Sequence, residues 1–198
     1  MKPYYTIKVT QEHMVALEGP GDFVGEFIRD ISATLLRASE VDDEPETVVG
    51  EMMAMLIRGG SALNFRHSIW EEADAHSGDA EAVASAVFGR YHTRIEDHLE
   101  EALHDVLYIE EFHFLEEGLE DTDLDRWFLM RFADQFDVDL IVVDAKYKRA
   151  LGIGFEKMPG SSNRYLMRDA HRNWPTTPLI PLGDPLPPEC PANDVVVH

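Results

Sequence analysis

The chain has 198 residues and a formal net charge of -21 at pH 7, from 38 Asp and Glu against 17 Lys and Arg, and 44% of it is hydrophobic. That hydrophobic content belongs to a folded chain long enough for one substantial domain, and the charge argues against direct binding to nucleic acid or an anionic membrane. No apolar run approaches the ~18 residues of a membrane span, and the single cysteine, Cys190, excludes an internal disulfide or a thiolate zinc cluster.

The opening PYYTIKVT alternates Tyr5, Ile7 and Val9 with Thr6 and Lys8, as a half-buried strand does. MKPYYTIKV lacks the basic and apolar regions of a signal peptide, so the expected location is the cytoplasm. After the break at Gly19, Pro20 and Gly21, Asp22 is placed to cap a helix through Ala38, with Phe23, Phe27, Ile28, Ile31 and Leu35 facing inward. Pro45 suits the first turn of a second helix, which runs to Arg58 and ends at Gly59 and Gly60. Ser61 opens a third, through about Ala75.

Asp79 then caps a long helix. Ala84, Phe88, Tyr91, Ile95, Leu99, Ala102, Val106 and Ile109 recur at three- and four-residue steps and form one apolar stripe. The segment IEEFHFLEEGLEDTD follows as a short helix or turn, and Thr122 or Asp123 starts a helix through Phe136. DLIVVDA, ALGIGFEK and NRYLMRD then look like three strands. These elements predict an α+β fold, predominantly helical over its N-terminal two-thirds, with a small C-terminal antiparallel sheet that the N-terminal strand can join. Residues 1–173 form the single expected domain, and the Pro-rich residues 174–198 wrap its surface.

Charge is distributed unevenly. Between Arg94 and Arg126 there is no Lys or Arg, and there are thirteen carboxylates. On the long helix, Glu96, Asp97, Glu100, Glu101 and Asp105 fall opposite the apolar stripe, and Glu110, Glu111, Glu116 and Glu117 continue the acidic run. At a rise of ~1.5 Å per residue the first five give about one charge per 3 Å, comparable to the ~3.4 Å phosphate spacing of one DNA strand. Such a surface suits a non-enzymatic inhibitor or immunity-type protein that blocks a basic, nucleic-acid-binding partner by imitating phosphates. Phage or mobile-element counter-defence is a natural setting. No cofactor, metal or catalytic residue is implied by that reading. The simpler explanations are a solvated helix face and adaptation to a salty cytosol. Against the second stands the basic stretch of Lys146, Lys148, Arg149, Lys157, Arg164, Arg168 and Arg172.

The alternative is a metal-dependent hydrolase or nuclease. Glu101 with His104 and Glu110 with His113 are E-x-x-H pairs, a spacing that brings two ligands to one helical face. LIVVDAKYK resembles the D-x-K end of the restriction-endonuclease-like nuclease core, which implies a metal-holding role for Asp144 and a water-positioning role for Lys146. That family also needs an acid on a preceding, paired strand, and Asp139 is too close on the same strand to serve. The layout is loosely similar to papain-like hydrolases as well, but Ser61, Ala62 and Leu63 stand where their cysteine nucleophile belongs.

Overall fold

The computed structural model describes residues 5–11, 27–38, 45–64, 68–88, 105–116, 119, 124–159, 161–172 and 174. Seven strands form one mixed sheet: β1 (Tyr5–Gln11), β2 (Ile28–Arg37), β3 (Thr47–Arg58), β4 (Asp105–Phe114), β5 (Leu140–Asp144), β6 (Glu156–Lys157) and β7 (Tyr165–Asp169). Their spatial order is β1-β2-β3-β4-β5-β7-β6. The first four are antiparallel neighbours, β4 and β5 run parallel, and β5, β7 and β6 are antiparallel again. A parallel pair needs a crossover, and the helix α4 (Leu124–Ala133) lies in the chain between β4 and β5 to supply it.

Both faces of the sheet are covered. On one, Ile31, Ala33, Leu35, Met52, Leu56, Leu107 and Ile141 pack with Phe128, Leu129 and Phe132 of α4 and with Ala150 and Ile153 of a 3-10 helix at Lys148–Ile153. On the other, Ile28, Met55, Ile57, Val106, Tyr108 and Val142 pack with α2 (Ile69–His76) and α3 (Gly78–Phe88) through Ile69, Ala73, Val83, Ala84 and Phe88. A short α1 (Gly59–Asn64) leads from β3 towards them. Ser68 caps α2 by accepting from Glu71 N at 3.4 Å, and the Ser77 hydroxyl accepts from Ala80 N at 3.1 Å in the first turn of α3.

This architecture corrects the expected one: the protein is built on a seven-stranded mixed sheet and is not predominantly helical with a small antiparallel one. Three stretches assigned to helix are strands. Within Asp22–Ala38, residues Ile28–Arg37 are β2; within Pro45–Arg58, Thr47–Arg58 are β3; and the end of the long helix, with the segment after it, is β4. The physical reason is burial on both faces. Met55, Leu56 and Ile57 of β3 and Val106 to Ile109 of β4 are consecutive buried residues, because alternate side chains enter two different cores. A continuous apolar run contains the i, i+3, i+4 pattern of a helix by default. Gly59 and Gly60, expected as a helix end, open α1 instead. Tyr5–Gln11 is a strand and joins the sheet edge, as the alternation indicated, and Leu140–Asp144 and Tyr165–Asp169 are strands. Of ALGIGFEK, only Glu156 and Lys157 are strand, the first part being 3-10 helix. Tyr91, Ile95, Leu99 and Ala102 lie outside the described residues, as does the tail after Trp174.

Candidate functional site

β4 outruns β5. Cross-strand pairs between them run from Val106 with Leu140 to Ile109 with Val143, and β5 ends one residue later, whereas β4 continues to Phe114 paired only with β3. At the point of departure the β3–β4 ladder slips: Met53 faces Glu111 and Ala54 faces Ile109, so Glu110 is an extra residue with no cross-strand partner. Such a bulge bends the strand and re-aims its side chains. Its effect is visible in the packing, since Ile109 and Phe112, three residues apart, both meet the α4-side core. Glu110 and Glu111 are thereby both turned away from that core.

The gap between the diverging strand ends is a cleft of about 370 Å³. Ile109, Phe112, Val143 and Tyr147 supply its apolar lining, and the Phe112 ring meets Tyr147 edge-on at 5.6 Å and Phe128 at 5.2 Å. Glu110, Glu111 and His113 bring acidic and titratable groups from β4, and Asp144 and Lys146 stand at the end of β5. An adjoining hollow of about 350 Å³ carries the lining on to Lys148 and Arg149. The cleft therefore has an aromatic interior, an acidic side on the long strand and a basic side on the turn after the short one.

Glu110 is the electrostatically unusual group. Its carboxyl is pushed above the ordinary glutamate range, first by burial and then by the negative charges of Asp30, Asp79 and Glu111, with His76 acting in the opposite direction. Nearby, the Tyr108 hydroxyl is also pushed up, chiefly by burial and next by Tyr165, whose ring it meets edge-on at 5.9 Å. Tyr165 is buried and its hydroxyl has no hydrogen-bond partner among the described residues.

Comparison with known protein families, with curated proteins and with solved structures gave no match. The site thus rests on its own geometry. Of the residues expected to form the acidic surface, Glu110 and Glu111 are in the cleft, and Glu96, Asp97, Glu100, Glu101 and Glu117 lie outside the described residues. Asp105 is not on a helix: it begins β4 at the opposite end of the strand, where its carboxylate accepts from Arg58 Nη1 at 2.8 Å and from Gly60 N at 3.1 Å. Glu116 is paired with Arg37 at 2.6 Å. The described members of that expected surface are hence divided among three places and form no continuous strip.

Asp144 and Lys146 close β5 as a turn, in which Asp144 Oδ1 accepts from Lys146 N at 2.7 Å and Asp144 O accepts from Tyr147 N at 2.9 Å. Glu110 and His113 belong to a strand, so their spacing has no helical face to share. Among the described residues no three His, Cys, Asp or Glu side chains converge as a metal site. No described helix is long and apolar enough to cross a membrane. Sequence reasoning missed Phe112, Val143 and Tyr147 as a lining. A strand assignment for Asp105–Phe114 would have singled out Phe112, since Phe112 and Phe114 alternate with Glu111 and His113; nothing local pointed to Val143 and Tyr147 beside it.

Proposed function

We propose that the protein binds a small, extended ligand in the cleft between the diverging ends of β4 and β5, and that Glu110 exchanges a proton with it. The observation that carries this reading is the position of the cleft, at the carboxyl ends of two parallel strands, where ligands of open sheets containing parallel strands bind. A bulge beside it and a half-buried carboxyl with a perturbed pKa support the same place, because both features concentrate at functional sites. The lining describes the ligand: a slender apolar middle against Phe112 and Tyr147, a cationic group such as an amine towards Glu110, and an anionic end towards Lys146, Lys148 and Arg149. A cytoplasmic location, consistent with a single cysteine, belongs to the same proposal.

The test is an amide-detected NMR screen of the full chain against small compounds that carry an amine and an anionic group. Binders should shift the backbone signals of residues 110–114 and 143–147, and Tyr147→Ala should weaken them by about tenfold or more, the equivalent of ~1.4 kcal/mol. Binders that map to another surface, or whose affinity is unchanged by Tyr147→Ala, would refute the cleft.

A second reading keeps the acidic inhibitor of a basic, nucleic-acid-binding partner, and one observation favours it. Asp30, Glu51, Glu110 and Glu111 come from neighbouring strands, and α2 and α3 beside them add Glu71, Glu72, Asp74, Asp79 and Glu81. The contact surface in that case is this side of the sheet rather than a helical strip.

A further inference from the structure

The hollow that adjoins the cleft differs in composition from the chain around it. The sequence has 38 Asp and Glu among 198 residues, yet none of the seven residues lining the hollow is acidic. Phe112, Phe114 and Tyr147 supply ring surface, and Lys146, Lys148 and Arg149 supply positive charge beside His113. The rings are packed together, Phe112 meeting Phe114 edge-on at 5.2 Å and Tyr147 at 5.6 Å. The turn that carries the cations is fixed by its backbone, Tyr147 N donating to Asp144 O at 2.9 Å and Ala150 N to Tyr147 O at 3.0 Å. Arg149 lies 3.7 Å from the buried carboxylate of Asp125 on α4. The Lys146 and Lys148 side chains are exposed and make no ion pair or hydrogen bond among the described residues. By contrast, Arg37, Arg58, Arg164 and Arg172 each have a carboxylate oxygen within 3.1 Å. Two ammonium groups are thus left for an outside anion in a chain of charge -21. Hollow and cleft share Phe112, His113, Lys146 and Tyr147, so they are continuous.

We propose that the ligand is a nucleoside monophosphate with an amino-bearing base, adenine or cytosine, its base on the rings of Phe112 and Tyr147 and its phosphate at Lys146, Lys148 and Arg149. The inference rests on the reading of the cleft as the ligand site and names what fills it. A nucleobase has a flat π face that stacks on aromatic side chains. Its exocyclic amino group is directed to the end of the cleft lined by Glu110 and Glu111, whose carboxyl oxygens accept from it. The phosphate meets two compact ammonium charges and one planar guanidinium, which suit its several oxygens. At about 370 and 350 Å³, cleft and hollow are each of a size that holds small molecules, about 300–1,000 Å³. The acidity of the chain does not oppose this, because charges beyond about 8 Å are screened at physiological ionic strength and the local cations govern the phosphate. A polynucleotide that ran on from the hollow across the acidic side of the sheet would be repelled, which selects a single nucleotide over nucleic acid.

The test is an amide-detected NMR titration of the full chain with adenosine monophosphate, and then with adenosine, ribose 5-phosphate and uridine monophosphate. Adenosine monophosphate should shift the signals of residues 110–114 and 146–149. Each of the other three, lacking the phosphate, the base or the amino group, should bind at least about tenfold more weakly. The double variant Lys146→Gln, Lys148→Gln, whose side chains have no partner to lose, should bring adenosine monophosphate down to the affinity of adenosine. Adenosine monophosphate binding no tighter than ribose 5-phosphate or than the uridine nucleotide would overturn the proposal, as would an unchanged affinity in the double variant. If that variant does not fold, the ranking of the four compounds on the wild-type chain decides alone. The two readings fail differently: the cleft is refuted when compounds with an amine and an anionic group map elsewhere, and the nucleotide is refuted when they map here and adenosine monophosphate does not.

Discussion

Glu110 shows how far a single residue can be understood from its surroundings. Its folded-state carboxyl binds a proton more tightly than an unfolded glutamate does, because burial and three neighbouring carboxylates oppose its charge. The folded state therefore holds the extra proton just above the ordinary carboxyl range, and stability from this group is gained as pH falls through that window and lost as it rises. Glu110→Gln should raise the urea midpoint at neutral pH, and the advantage should shrink as pH approaches about 4, where the wild-type carboxyl is also neutral. A Gln variant less stable at neutral pH would show that the charge is compensated. Charge density singled out Glu110 and Glu111 in the sequence, and Lys146, Lys148 and Arg149 as an opposing basic group, with Glu110 and Lys146 also marked by the E-x-x-H and D-x-K spacings. What linked them was hidden, because Phe112 and Tyr147 are far apart in the chain and meet only once α4 has carried it from β4 to β5.

At the scale of the element, β4 was the least legible and the most consequential. Val106, Leu107, Tyr108 and Ile109 have no polar residue among them, so nothing local separates a strand between two helical layers from the inner side of a helix. β1, with its strict alternation, and β5, bounded by Asp139 and Asp144, were readable because solvent or a turn marks their limits. Leu107 faces the α4-side core and is fully buried. Leu107→Ala should therefore cost about 2–5 kcal/mol in urea unfolding, since the removed atoms leave a void that strands on either side cannot close. A cost well under 1 kcal/mol would mean that the space between sheet and α4 collapses freely.

On the scale of the whole molecule, the strand order was beyond reach of the sequence, because it depends on which strands pair after the helical crossovers and no local pattern encodes that. The polarity of charge was readable, and its placement changes what it can do. Asp105 and Glu116 are tied to Arg58 and Arg37, so neutralising them would loosen the fold as well as the surface. Glu51, Glu71, Asp74, Glu81 and Glu111 make a cleaner test: Glu51 faces His113 at 3.4 Å with both side chains about half exposed, and the others are exposed on α2, on α3 or on β4 beyond β5. Changing these five to Gln or Asn removes mutual repulsion in a chain of charge -21, so thermal stability should hold or rise. If this side blocks a basic nucleic-acid-binding protein, a partner captured with the wild-type chain should bind less tightly as salt rises, because attraction beyond about 8 Å is screened at physiological ionic strength. Duplex DNA should displace it, and the neutralised variant should lose at least about tenfold in affinity, or ~1.4 kcal/mol. A complex indifferent to salt, to DNA and to the five substitutions would leave the carboxylates as a solvated surface and the cleft beside Glu110 as the place where the protein acts.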